Sequence, residues 1–328
     1  MLTFPQAIIL GLIQGVTELF PISSLGHSVI LPQLFGWTDV VAAQAAKESY
    51  FLAFLVGLHV ATATALLIFY RATWIRIVRD VLLSIRDRRI ETAEARLGWL
   101  LIVATIPAGL AGLLFEHTFR VIFATPEYAA IFLIVNGVVL AAGERLRRRG
   151  SRGDMAVVRG APTGRGPIPG GPLARGPIAR GPVAGGPVAR GIDERSDEEA
   201  DLRLGGLGFP VALVIGVAQT FALLAGISRS GITMVAGLVR GLDHKDAARF
   251  SFLLATPIIL AAGVYKLPDL IGPNGDGVRV QVLVGSIAAG IAAYLSVRFL
   301  TRYFTTRTLN PFAIYCVVLG VFALLRFA

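Results

Sequence analysis

The sequence predicts an all-α polytopic membrane protein, and three observations carry that prediction. Hydrophobic residues make up 55% of the 328 and charged residues only 16%, against roughly 25% charged in a soluble domain. Long uncharged runs recur, among them 97–115, 128–143 and 311–325, each close to the ~20 helical residues that cross a hydrocarbon core. The cations are clustered beside those runs: of 31 Lys and Arg, seven lie in 71–96, twelve in 145–203, three in 240–249 and three in 298–307. That is the pattern of cytoplasmic loops under the positive-inside rule. A soluble enzyme, a disordered chain and a disulfide scaffold are excluded, the last because Cys316 is the only cysteine. The net charge of +10 reads as topology, since no nucleic-acid-reading motif accompanies it.

Taken in order, the N-terminus lacks a basic n-region and an A-x-A cleavage site, and its apolar stretch runs into Glu18. It reads as mature protein rather than a signal peptide. Residues 1–146 are expected to form a first repeat, with a re-entrant pair over 4–36 and spans at 50–70, 97–115 and 127–144. Residues 147–206 are expected to be a disordered cytoplasmic linker. Within 150–192 there are twelve Gly and seven Pro, with Gly-Pro recurring at 171, 176, 181 and 186. Collagen needs glycine every third residue, so this composition reads as a flexible tether. Residues 207–328 form the second repeat, with a re-entrant pair over 209–242 and spans at 248–266, 280–298 and 311–327. The basic clusters orient all six spans without contradiction and leave the C-terminus outside.

The two re-entrant segments match at an offset of 205. Gly11 falls on Gly216, Gln14 on Gln219, Leu19 on Leu224, Ile22 on Ile227, Ser23 on Ser228 and Gly26 on Gly231, while Ser28 meets Thr233. Each is apolar, interrupted by a polar turn, then apolar again. Broken backbone at membrane depth is tolerable where it lines a protein cavity. Three spans follow each copy, and three is odd, so the second half is expected upside down, as an inverted-topology repeat with its site at the interface.

The chemistry gathers at the breaks. Gln14 and Glu18 are four apart and share a helix face. A carboxylate in an apolar segment costs about 2.5–3.5 kcal/mol on insertion scales and marks function by default. Ser23, Ser24 and His27 follow it. The second break supplies Ser228, Arg229, Ser230 and Thr233. A turn at a helix N-terminus holds anions, and arginine adds a planar fork for phosphate oxygens. Ser, His and Glu can attack or move protons. Helix capping is the competing role for the hydroxyls, and an ion pair stitching the repeats is the competing role for Glu18 and Arg229. His59 reads as packing or a contact behind the site, and His117 and His244 as loop residues. Scattered His and a lone Cys give no zinc spacing. Glu18 and Gln14 with phosphate oxygens could hold Mg²⁺ or Ca²⁺, and no other cofactor is implied.

The run Gln14–His27 and the run Gly226–Thr233 resemble the two signature motifs of the bacterial undecaprenyl-diphosphatases, linked to bacitracin resistance. The first is usually (E/Q)-x-x-x-E then P-x-S-S-x-G-H, with Gln14 here in its first place. The second is usually P-G-x-S-R-S-x-x-T, and Ala225 replaces its leading proline. The run Phe250–Pro257 is also similar. The resemblance covers the chain except an insertion at 150–205 that the usual members lack.

The resemblance implies hydrolysis of undecaprenyl diphosphate to the monophosphate and phosphate, recycling the lipid carrier of cell-wall synthesis. It places the enzyme in the bacterial plasma membrane with its site open to the extracytoplasmic face. It casts Glu18, Ser24, His27 and Arg229 as catalytic, Ser24 being the nucleophile candidate. Gln14, Ser23, Ser228, Ser230 and Thr233 are expected to bind substrate, and Glu18 to touch any metal. The expected partner is the lipid, with no nucleic acid, and a homodimer is left open. A transporter or flippase of polyprenyl phosphate lipids is the alternative, since broken inverted repeats also build transporters. A third reading, the lipid-phosphatase superfamily with P-S-G-H and S-R-x5-H-x3-D signatures, fails because no His-x-x-x-Asp follows Arg229.

Overall fold

The computed structural model describes residues 2–45, 50–123, 125–160, 198–272 and 277–327. Among them there are thirteen α-helices and no strand. Helix α1 (Phe4–Thr17) opens on a capping box between Thr3 and Gln6, which satisfies two orphan N–H groups reciprocally. A turn leads into α2 (Ser24–Leu34) and α3 (Thr38–Ala45). Helix α4 (Tyr50–Phe69) bends by 87° into α5 (Arg71–Asp87). Then come α6 (Ala93–Phe123) and α7 (Pro126–Gly160). The second half holds α8 (Glu198–Gly205), α9 (Phe209–Thr220) and α10 (Arg229–Val239). It closes with α11 (His244–Ile271), α12 (Arg279–Tyr303) and α13 (Asn310–Phe327).

Five helices carry stretches long and apolar enough to cross a membrane: Ala93–Phe115, Pro126–Arg149, His244–Lys266, Arg279–Tyr303 and Asn310–Phe327. Two bent pairs, α4 with α5 and α8 with α9, raise the number to seven if each is one span. At 1.5 Å per residue, α1, α2, α9 and α10 reach about 16–21 Å, short of a ~30 Å core.

The repeat register survives in the folded chain. Helices α1 and α9 begin 205 residues apart, as do α2 and α10, and the latter two each have 11 residues. Packing is reciprocal as well: α1 lies along α12, and α9 along α6. Close approach needs glycine at matching places. A Cβ on Gly11 would collide with the carbonyl of Gly285, and one on Gly216 with the carbonyl of Ala104. Small residues at such contacts are how helices associate where no hydrophobic drive separates protein from lipid. The halves also meet directly, α4 against α11 and α12, and α7 against α13.

Three expectations are corrected. The basic stretch 71–96 holds a helix rather than only a loop, because α5 buries Thr73, Ile77, Asp80 and Ser84 at helical spacing. Its arginines hide that period from a hydropathy window. The linker expected at 147–206 is helical at both margins, to Gly160 and from Glu198; its Gly-Pro core at 161–197 lies outside the described residues. The acidic end docks instead of dangling. Asp201 is fully buried and accepts from Arg76 (3.0 Å), Arg249 (2.9 Å) and Thr73 (3.5 Å). Finally, His117 and His244 both lie in helices, and His244 is buried against Glu144. Glu144 also accepts from the Leu309 N–H at 2.8 Å, so the imidazole completes a polar cluster at the foot of α13.

The Asp201 cluster generates a prediction. Asp201→Asn leaves two arginines around a neutral amide, and breaking a buried pair costs about 3–5 kcal/mol. Thermal unfolding in detergent should show a lowered midpoint for this variant. Asp87→Asn, at an exposed pair with Arg86, should leave the midpoint unchanged.

Candidate active site

The two breaks are built alike. Ser23 caps α2 by accepting from the Gly26 N–H at 3.2 Å, and Ser228 caps α10 by accepting from the Gly231 N–H at 3.1 Å. These caps start half-helices whose first N–H groups have no intrahelical acceptor. At the offset of 205, Ser24 and Arg229 occupy the same place, the first residue of each half-helix. The two helix starts thus carry a hydroxyl and a guanidinium.

Cross-bonds lock the breaks together. The Gly226 N–H donates to Ser23 Oγ at 3.2 Å, and Ser230 Oγ donates to the Phe20 carbonyl at 3.2 Å. Asn136 of α7 clamps both, its amide donating to the Pro21 carbonyl and accepting from the Ser228 N–H, each at 3.0 Å. Ser23 sits at φ 69°, a conformation costing about 1–3 kcal/mol outside glycine. Gly226, at φ +108°, packs against the backbone of Ala129 and Leu133, where no side chain fits. The surrounding bonds over-determine this strained turn.

At the centre is the buried carboxylate of Glu18. Its Oε1 accepts from Arg229 Nη2 at 3.0 Å. Its Oε2 accepts a short hydrogen bond from Ser24 Oγ and another from Gln14 Nε2 at 3.1 Å. His59 Nε2 stands 3.5 Å from the same oxygen. Arg229 also donates from Nη1 to the Ser251 carbonyl at 3.4 Å. Two buried atoms here have no partner among the described residues, Arg229 Nε and Gln14 Oε1. Unmade hydrogen bonds at buried groups are costly, so both are available to a ligand.

The structure therefore brings Gln14, Glu18, Ser24 and Arg229 together. His27 is not at the carboxylate. Its Nδ1–H donates to the Ser23 carbonyl at 2.7 Å, its Nε2 lies 2.8 Å from the Tyr315 hydroxyl, and its ring stacks on Tyr315. His59 instead keeps about a third of its side chain exposed and turns Nε2 to Glu18, with Nδ1–H anchored on the Leu55 carbonyl at 2.8 Å. The hydroxyls expected to bind substrate are engaged by protein: Ser23 and Ser228 as caps, Ser230 on Phe20, and Thr233 on the Arg229 carbonyl and Ser251 Oγ. Ser23 and Ser228 cap because each break must begin a helix.

Sequence reasoning missed Asn136, Tyr315 and Ser251. Their partners lie 18 to 288 residues away, so no local spacing marks them, although a lone Asn in an uncharged run was visible. Among the described residues no three His, Cys, Asp or Glu side chains cluster to hold a metal. The oxygens of Glu18, Ser24 and Gln14 are hard donors of the kind Mg²⁺ or Ca²⁺ takes together with substrate phosphates.

Asn136→Ala orphans the Pro21 carbonyl and the Ser228 N–H, at roughly 1–3 kcal/mol each. The variant should unfold at lower temperature and lose turnover together, because the breaks lose their register. Retention of full turnover at a lowered melting point would show that Asn136 supports the fold alone.

Known proteins match the chain over nearly its whole length. The family described as Bacitracin resistance protein BacA matches residues 7–164 and 177–322. The chain is 54% identical to Undecaprenyl-diphosphatase 2 of Frankia alni, covering 100% of this chain and 98% of that protein. It is 52% identical to an Undecaprenyl-diphosphatase of Mycolicibacterium paratuberculosis, with 97% and 95% covered. An Undecaprenyl-diphosphatase of Granulibacter bethesdensis is 40% identical, with 98% and 97% covered. The two matched parts leave residues 165–176 between them. Matched over nearly its whole length, the chain belongs to the BacA bacitracin resistance protein family.

Proposed function

We propose that this chain is an integral membrane phosphatase hydrolysing undecaprenyl diphosphate to undecaprenyl phosphate and inorganic phosphate. The names of its relatives support the substrate. One observation carries the chemistry: Ser24 Oγ–H donates to a Glu18 carboxylate whose other oxygen takes Arg229. A hydroxyl bonded to a carboxylate is a nucleophile beside its base, and mere transport gives that pair no role.

Phosphoryl transfer asks mainly for positioning and neutralised charge. Arg229, with its free Nε–H and the first N–H groups of α2 and α10, clamps the diphosphate. Ser24 Oγ attacks the terminal phosphorus as Glu18 takes its proton. The Ser24 O–P bond forms, the bridging P–O bond breaks, and undecaprenyl phosphate leaves. Water then attacks the phosphoserine, freeing inorganic phosphate and restoring the hydroxyl. His59, 3.5 Å from Glu18 Oε2, moves the proton toward the departing oxygen and receives one from water. His27, held by Tyr315, supports the turn that presents Ser24. A divalent cation on Gln14 Oε1 and Glu18 would neutralise phosphate oxygens.

The same reading sets the protein in the bacterial plasma membrane, with the breaks reached from the extracytoplasmic side and the two halves inverted. The clustered arginines support that orientation. The linker expected at 147–206 then lies on the cytoplasmic side.

Phosphate release by purified protein tests the assignment. Arg229→Ala should lower kcat/KM at least about a thousandfold, and Arg229→Lys should recover little, because a point charge lacks the fork. Ser24→Ala should abolish kcat while substrate still binds. Full kcat in Ser24→Ala would make water the nucleophile.

The two imidazoles separate in the same assay. His59→Ala should lower kcat by roughly 10²–10⁴. Tyr315→Phe, which frees His27, should act mainly on thermal stability. A dead Tyr315→Phe beside an active His59→Ala would reverse these roles.

A further inference from the structure

Helix α12 exposes Leu283, Ile287, Ile291, Leu295 and Phe299, a large apolar side chain at every fourth residue. The stripe runs about 24 Å along the helix. It ends in an open groove of about 470 Å³ lined by Arg298, Arg302 and Arg307 with Tyr303 and Thr306. Arg298 and Arg302 share a helix face. The chain then turns, Arg307 N–H donating to the Tyr303 carbonyl at 3.0 Å and Tyr303 hydroxyl to the Thr308 carbonyl at 3.3 Å. That turn lets Arg307 line the same groove as the other two.

None of the three arginines forms an ion pair with a carboxylate among the described residues. Glu144, which lies within electrostatic reach of Tyr303, is occupied by His244 and the Leu309 N–H. Three like charges around one groove repel, and the C-terminal dipole of α12 offsets only part of that. An anion in the groove removes the repulsion. The apolar stripe leading into it selects an anion that carries a hydrocarbon chain.

We propose that this groove is a binding site for the phosphate headgroup of an anionic lipid, whose chain lies along the α12 stripe. The site is separate from the Glu18 centre and rests on α12 and its turn alone. Its wall nonetheless reaches the first break: Phe299 stacks on Phe20 at 5.9 Å, and Tyr303 meets Phe312 edge-on at 5.3 Å. A lipid seated in the groove therefore packs against the aromatic group directly behind the turn that follows Glu18. Basic pockets at the ends of membrane helices are a recurrent means of holding such headgroups.

Lipid retention by the full-length protein tests this, with native mass spectrometry after reconstitution with phosphatidylglycerol or phosphatidylcholine. The wild type should retain phosphatidylglycerol in preference to phosphatidylcholine. Each arginine replaced by glutamine should weaken retention about fivefold, equivalent to about 1 kcal/mol per charge. The triple variant Arg298→Gln, Arg302→Gln, Arg307→Gln should lose about a hundredfold. Arg302→Gln alone alters one exposed side chain and serves where the triple does not fold. Equal retention of both lipids by the wild type, or undiminished retention by the variants, overturns the proposal. Displacement of the bound lipid by millimolar inorganic phosphate overturns the lipid assignment and leaves a plain phosphate site.

Discussion

The ion pair between Glu18 and Arg229 is the constraint on which the rest of the structure depends. Each charge sits in an apolar segment, where an uncompensated one costs several kcal/mol. They belong to different halves, 211 residues apart, so neither half can bury its break alone. The demands then propagate outward. The breaks must touch, hence Gly226 has no side chain and Ser23 accepts from its N–H. The helices before them must lie close to α12 and α6, hence Gly11 and Gly216. A polar side chain must reach in from the flank to satisfy the freed backbone, and Asn136 does so on both sides.

A buried pair of this kind is weak evidence for stability, since well-packed apolar residues often do as well. Here its surroundings argue for chemistry. Glu18 is an acceptor for three donors at once, and one of them is a serine hydroxyl at the start of a half-helix. A structural pair needs no such third party. The unpartnered Arg229 Nε and Gln14 Oε1 leave the site under-satisfied at rest.

Much of this was legible in the sequence, for identifiable reasons. Helical class and membrane placement follow from apolar run length and from where the arginines fall, both properties of the chain itself. The repeat was legible because seven positions match at one offset, and the costly residues stood out against apolar neighbours. Orientation was not legible. Whether His27 or His59 faces Glu18 depends on Tyr315, which competes for one ring from the last helix. Helices α5 and α8 escaped because charges mask their apolar face, and Asp201 gains its meaning only when Arg76 and Arg249 converge on it.

The repeat supplies a nearly symmetric frame, and the chemistry depends on where that symmetry is broken. At the offset of 205, Gln14 faces its match in Gln219, but Glu18 corresponds to Leu223 and Ser24 to Arg229. Duplication alone would give two equal helix starts, two anion sites and no division of labour. A hydroxyl on one start and a guanidinium on the other, with a single carboxylate between, make the two starts unequal. In the proposed reaction a phosphate held by the Arg229 start would be presented to the Ser24 start, and the asymmetry of the two breaks is what would distinguish the terminal phosphorus from the lipid-linked one.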